Sequence, residues 1–225
     1  MEPQSPPAPL GKVLLCLSGG GFRATFFHLG VVRFLRDNDL LRRVSHVLAV
    51  SGGSIIAAHL AQNWERYAHP EEGKFAEAAE ELMAFGRSDV RGRVLRAWLV
   101  ASFCLGTPLY ARRWRRASLL ERAYAALYHG RELRSLDQTK AGGPQFHILT
   151  ASMTTGRPCR FTKDGFVRDE GRTPRAYGGA SLPLAFAVAA SSAFPPLFPP
   201  VCLARAVLGA DMSEFPFEFE YLTDG

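Results

Sequence analysis

One apolar run that stops at a serine and two glycines constrains this chain more than any other stretch. Val47-Leu48-Ala49-Val50 has the character of a buried strand, Ser51-Gly52-Gly53-Ser54 follows, and Ile55-Ile56-Ala57-Ala58-His59-Leu60 opens a helical pattern. A strand that turns this tightly into a helix pushes one hydroxyl out at the top of a sheet, the layout of a nucleophile elbow. Gly52 and Gly53 permit the strained turn and let the helix lie close to the strand. The free N–H groups and positive dipole end of that helix point at the serine. Two readings of Ser51 fit the stretch: an activated nucleophile, or an ordinary serine that caps a helix.

A second glycine stretch precedes it. Lys12 to Leu17 reads as a buried first strand, and Ser18-Gly19-Gly20-Gly21-Phe22-Arg23 joins it to a helix over about Arg23 to Leu35. Consecutive glycine N–H groups at a helix start form a nest suited to an oxyanion or a phosphate. Neither GxGxxG nor GxxxxGK[ST] is present, which weakens a nucleotide site. Arg23 is placed to hold an anionic group bidentately. Strand–Gly–helix–strand–Gly–helix is a βαβα unit, and it implies a parallel sheet with right-handed crossovers.

Downstream, Lys74 to Phe85 and Ser118 to Tyr128 read as helices, and about 68–140 as a helical insertion or cap. Gln145 to Ser152 reads as a strand, with Arg157 to Lys163 as its hairpin partner. Ser181-Leu182-Pro183 has the composition of a helix start, and that helix ends at Ser191-Ser192. Val201 to Val207 and Phe215 to Leu222 read as further strands. At 225 residues the chain suits one domain over 12–225, behind a polar, proline-rich lead-in over 1–11 that lacks the features of a signal peptide.

A nucleophilic serine needs a base. The six histidines are His28, His46, His59, His69, His129 and His147. None follows a late strand end, where the order Ser–acid–His would place a triad base. His28 and His59 sit on helices and read as packing or hydrogen-bonding residues. An aspartate remains, and Asp224 ends a strand just before a glycine. To act as a base it would need burial that raises its pKa. On its own it reads more readily as a turn aspartate.

These blocks occur in a telling order. Leu17-Ser18-Gly19-Gly20-Gly21-Phe22-Arg23-Ala24, His28-Leu29-Gly30-Val31, Val50-Ser51-Gly52-Gly53-Ser54, Ala190-Ser191-Ser192-Ala193-Phe194-Pro195-Pro196-Leu197-Phe198-Pro199-Pro200-Val201 and Leu222-Thr223-Asp224-Gly225 follow one another. Together they resemble the bacterial patatin-like phospholipases, which are related to the catalytic domain of the cytosolic phospholipase A2 group. The resemblance covers roughly 12–65 and 178–225. It implies a three-layer α/β/α fold with a mainly parallel central sheet. It also implies a Ser–Asp dyad of Ser51 and Asp224 that hydrolyses lipid acyl esters through an acyl-enzyme. Gly19, Gly20 and Gly21 would form the oxyanion hole, supported by Arg23, with Gly52 and Gly53 as the elbow glycines. The dyad itself needs no metal or cofactor. Ala49 stands where the family's elbow carries its first glycine. The family continues past Asp-Gly, so further residues beyond 225 are expected. The rival readings are an inactive lipid-binding module and a phosphate- or nucleotide-binding α/β domain.

The net charge of +6 is concentrated in one region: eight arginines lie between Arg87 and Arg116 against the single acid Asp89. Arg96, Trp98, Arg112, Arg113 and Trp114 interleave basic and aromatic side chains as an anionic membrane surface would require. A solvated basic face is the alternative. No DNA- or RNA-binding motif accompanies the charge, so no nucleic-acid partner is expected. Four scattered cysteines without a CxxC pair fit a reduced cytoplasmic chain with buried thiols, peripheral to a membrane at most.

Overall fold

The first two strand–helix pairs form where the apolar periodicity puts them. The computed structural model describes residues 11–103, 116–171, 173–195 and 197–225. Strand β1 (Val13–Leu17) leads into helix α1 (Gly21–Asp37), and β2 (Val44–Ala49) into α2 (Gly52–Gln62). Helix α2 is apolar all round, and every residue from Gly52 to Ala61 is buried, as expected of a helix enclosed by its neighbours. Asn63 ends it, its Nδ2 donating to the His59 carbonyl at 3.1 Å. The helical pattern that opens at Ile55 is therefore split, and α3 (Trp64–Tyr67) resumes after that break.

Helices α4 (Glu72–Arg87), α5 (Val90–Phe103) and α6 (Arg116–Tyr128) follow. Then come β3 (Gln145–Ser152), β4 (Pro158–Thr162), β5 (Gly165–Asp169), β6 (Pro174–Gly179), α7 (Leu184–Ser191), β7 (Val201–Ala204), α8 (Arg205–Leu208) and β8 (Phe219–Thr223). Strands β5 and β6 have no clear signal in the sequence. Gly165 has φ 121°, and a side chain there would collide with the carbonyl of Gly178. A glycine bulge of this kind breaks the alternation that marks a strand. The N-cap of α7 is Pro183, without a side-chain cap, so Ser181 does not cap it. Beyond Ala204 the expected strand becomes α8.

The eight described strands form one sheet in the order β1-β2-β3-β4-β5-β6, with β8 paired to both β3 and β7. Only β1–β2 and β2–β3 are parallel; the other pairings are antiparallel. The expectation of a mainly parallel sheet is thus corrected. Among the described residues, helical crossovers join β1 to β2 and β2 to β3; the later strands are built by hairpins, apart from β8, which returns to pair with β3. Phe146, Ile148 and Thr150 of β3 are buried, on the side where α2 and α7 pack. On the opposite face Leu14, Cys16 and His46 are exposed, so among the described residues the α/β/α sandwich is open there. The exposure of Cys16 also corrects the expectation of buried thiols, which holds for Cys159.

An ion network is buried far from the β2–α2 turn. Arg168 on β5 is 4% exposed and Glu220 on β8 is fully buried. Arg168 Nη1 donates to Glu220 Oε2 at 2.9 Å, and Nη2 donates to Glu170 at 2.8 Å and Tyr177 at 2.7 Å. The guanidinium also faces the rings of Tyr177, Phe215 and Phe217. Removing one member of a buried pair leaves an uncompensated charge, at a cost of about 3–5 kcal/mol. Exposed pairs such as Arg87–Glu80 contribute about 0–1 kcal/mol. Chemical denaturation should therefore show Arg168→Ala losing several times more stability than Arg87→Ala. Equal losses would contradict this account of the network.

Candidate active site

The site is assembled at the carboxyl ends of the parallel strands. Strand β2 ends at Ala49, and Ser51 adopts φ 52° and ψ −120°. A non-glycine residue there stores about 1–3 kcal/mol of strain. The turn is over-determined by its surroundings. Gly53 N–H donates to Val50 O at 2.9 Å, and Ser54 donates to Ser51 O from both its amide (2.9 Å) and its Oγ (2.6 Å). The Ser51 amide donates to Ser191 Oγ at 2.9 Å. The two glycines answer a close approach: a Cβ on Gly52 would strike the carbonyl of Gly21, and one on Gly53 that of Leu17. Helix α2 therefore lies directly against the first glycine stretch.

That stretch is shaped by φ values of 134° at Gly20 and 62° at Gly21, a region that glycine reaches without strain. A Cβ on Gly19 would sit 3.2 Å from Ser51 Cβ and 3.7 Å from its Oγ. The loop backbone thus passes beside the serine hydroxyl. Helix α1 begins at Gly21, and its first N–H groups have no acceptor within the helix. Buried Thr25 donates from Oγ1 to Gly52 O (2.7 Å) and Gly21 O (3.2 Å), tying α1 to α2. His28 Nε2 lies 3.2 Å from Ser18 O and 3.3 Å from Ser18 Oγ, which makes it an anchor of the loop.

Asp224 reaches the serine because of strand lengths. The β2–β3 pairing ends at Ala49–Ile148, but β3 continues to Ser152. In the slot beyond β2, β8 pairs antiparallel with β3 through Thr223–Ala151 and Leu222–Ser152. The chain leaving Thr223 therefore runs back toward Val50 and Ser51. Thr150 Oγ1 donates to Thr223 O at 2.6 Å. Thr223 Oγ1 and the Asp224 amide both donate to Ala193 O, at 2.7 and 3.1 Å. The Asp224 carboxyl is half-buried, and burial raises its pKa above the ordinary 3.8. Hydrogen bonds from Ser51 and the Gly225 amide pull the other way without cancelling that rise.

These residues open on a cleft of about 370 Å³. Gly19–Gly21, Arg23, Ser51 and Asp224 form its polar side, while Ile55, Val90, Leu120, Tyr124 and Phe198 form an apolar wall. Phe194 and Leu197 stand exposed at its rim, 58% and 49% accessible. A larger hollow, about 560 Å³, lies elsewhere among Lys12, Arg42, Arg43 and His46. It contains neither the serine nor the aspartate, so size is a poor guide to the chemistry here.

The chain matches the patatin-like phospholipase family over residues 15–225. It belongs to that family. A patatin-like phospholipase domain-containing protein of Aspergillus clavatus is 45% identical over 51 residues, which are 23% of this chain and 7% of that protein. One from Debaryomyces hansenii is 50% identical over 48 residues, 21% of this chain and 6% of that protein. The matched stretches are thus a small part of these curated relatives. Both organisms are fungi, so these relatives do not single out the bacterial branch. Human GIVD cytosolic phospholipase A2, solved with methyl gamma-linolenyl fluorophosphonate inhibitor and terbium chloride, aligns over 94% of this chain and 35% of its own. The TM-score is 0.51 at 17% identity, a likeness of fold. The patatin fold accounts for the mixed sheet with flanking helices.

Within this family frame, the structure brings together Ser51, Asp224, Gly19, Gly20, Gly21, Gly52 and Gly53, with Arg23 exposed at the cleft. None of the six histidines lines the cleft. His59 is buried beside Tyr67, 3.0 Å away, and burial lowers its pKa to about 4. His46 and His147 pair with each other at 3.2 Å. Arg96 is exposed and pairs with Asp89 at 3.1 Å, and Trp98 is half-buried. Arg112, Arg113 and Trp114 lie outside the described residues. Sequence reasoning assigned no role to Val90, Leu120 and Tyr124, which bring α5 and α6 to the cleft wall. It also assigned none to Ser191, although Ser191 lies in the Ala190–Val201 stretch that carries the resemblance.

Because the folded pKa of Asp224 exceeds its unfolded value, the proton is held more tightly in the folded state. The associated stability is complete below 3.8 and is lost as pH rises through the raised value. Asp224→Asn should therefore be at least as stable as wild type at pH 7, with any gain vanishing below the ordinary aspartate value. Thermal melts at both pH values check this. A variant clearly less stable at pH 7 would mean that the carboxylate is a net stabiliser.

Proposed function

We propose that this chain is a lipid acyl-ester hydrolase of the phospholipase A or lysophospholipase type, working through a Ser51–Asp224 dyad. The observation that carries this reading is a strained serine and a half-buried aspartate, its pKa raised by that burial, lining one cleft with an apolar wall. Asp224 accepts the proton of Ser51 as Oγ attacks the ester carbonyl, and the alcohol leaves with a proton. Water then attacks the acyl-enzyme, and the fatty acid and free serine are released. The glycine loop and the start of α1 supply N–H donors for the tetrahedral oxyanion, where each donor is worth about 10²–10³ in rate. The apolar wall of Ile55, Leu120 and Tyr124 suits an acyl chain, and Arg23 suits a lipid phosphate. The proposed dyad itself calls for no metal or cofactor.

The test is turnover of a p-nitrophenyl acyl ester. Ser51→Ala and Asp224→Asn should each lower kcat/KM by about 10³-fold or more while remaining folded. Wild type no faster than both variants would end the hydrolase reading and leave a lipid-binding module.

Contact with an anionic membrane surface is part of the same proposal, with a cytoplasmic, peripheral placement. No helix among the described residues is long and apolar enough to cross a membrane. Support comes from the exposed Phe194 and Leu197 at the cleft rim and the exposed Leu95, Leu99 and Val100 on α5 beside Arg93 and Arg96. In liposome flotation the protein should bind vesicles containing anionic lipid, and Arg96→Glu with Trp98→Ala should weaken binding about 5-fold or more. Equal flotation with neutral and anionic vesicles would refute it.

A further inference from the structure

Both members of the dyad are tied to one three-residue corner at the end of α7. Ser51 is held with φ 52° and ψ −120°, and its amide finds its acceptor outside its own helix, at Ser191 Oγ, 2.9 Å away. Ser191 is fully buried. Two residues on, the Ala193 carbonyl accepts from Thr223 Oγ1 (2.7 Å) and the Asp224 amide (3.1 Å). The corner is itself fixed, since the Ser192 amide donates back to Val188 O at 3.0 Å and the Ala193 amide to Ala190 O at 3.3 Å. Helix α7 packs on α2, β3 and β8, the elements that carry or frame the serine and the aspartate.

We infer that Ser191 is a positioning residue: its hydroxyl locks the strained backbone of Ser51 and, with the Ala193 carbonyl, sets how Ser51 Oγ faces the Asp224 carboxylate. A buried N–H that loses its acceptor destabilises the conformation that buries it. Without the Ser191 hydroxyl the elbow relaxes, while the glycine contacts and the Ser54 bonds keep α2 in place. The dyad then spends less time aligned, although the fold survives. The catalytic meaning of this clamp rests on the hydrolase reading, whereas its effect on the Ser51 backbone does not.

Two measurements on Ser191→Ala and Ser191→Thr separate these levels. Amide exchange at Ser51 should speed about 10-fold or more in the alanine variant, with the melting temperature of the whole protein little changed. Threonine, which retains the acceptor, should restore protection. Labelling of Ser51 by a fluorophosphonate should show the same split: in the alanine variant the rate constant falls about 10-fold or more at unchanged final amplitude, and threonine recovers it. A merely structural role would instead lower the amplitude and leave the rate constant of the labelled fraction unchanged, and that result overturns the inference. So does unchanged Ser51 amide exchange in Ser191→Ala. Wild type that does not label at all defeats the hydrolase reading, and amide exchange still decides the clamp.

Discussion

The contact between the start of α2 and the carbonyls of Leu17 and Gly21 is the constraint on which the site depends. Two glycines permit it, because any side chain at Gly52 or Gly53 would collide with backbone. Backbone cannot move aside as a flexible side chain can, so the contact fixes the glycine loop against the β2–α2 turn. Thr25 and His28 then brace the loop from the α1 side. The glycine loop and the serine are thereby one rigid unit, as the proposed oxyanion hole requires of donors prepared before substrate arrives.

The aspartate belongs to a different part of the sheet and comes into place for a different reason. Strand β2 stops early because it turns into α2, and β3 runs on past it. An unpaired strand edge inside a sheet demands a partner for its N–H and C=O groups. β8 supplies that partner, antiparallel, and its carboxyl end is thereby aimed at the elbow. The same turn that exposes Ser51 creates the slot through which Asp224 approaches it. The positions of Ser51 and Asp224, the proposed nucleophile and base, are thus two consequences of one strand ending.

The proposed dyad, lacking a histidine, places its whole burden on the environment of one carboxylate. An exposed aspartate is too weak a base at neutral pH. Half-burial raises the pKa of Asp224, and the Ser51 hydrogen bond moderates the rise. Tension between these effects makes geometry decisive, since a carboxylate that drifts into solvent loses the rise. The Ala193 carbonyl, the Thr223 hydroxyl and the buried Arg168–Glu220 pair further up β8 hold that strand against drift.

Much of the site was legible in the residues, because local backbone chemistry writes itself into local sequence. Gly19–Gly21, Gly52 and Gly53 mark positive φ or close approach, and Ser51 between strand and helix marks an elbow. The strand over Gln145–Ser152 was plain from its apolar residues. Less was legible where pairing is non-local. The sheet was read as mainly parallel because the first half carries βαβα punctuation, yet hairpins dominate later, and glycine bulges at Gly165 and Gly178 hid β5 and β6. Ser191 gave no signal of its role, since an acceptor for a backbone N–H in another element, 140 positions away, has no local signature. By itself the sequence determined which residues could serve as nucleophile, loop and acid, because those functions require particular side chains and particular backbone freedom. Only the tertiary structure decided that Asp224 and Ser51 line one cleft, that α5 and α6 wall it, and that the end of α7 bonds to both segments. Each of those depends on strand lengths and packing between segments far apart in the chain.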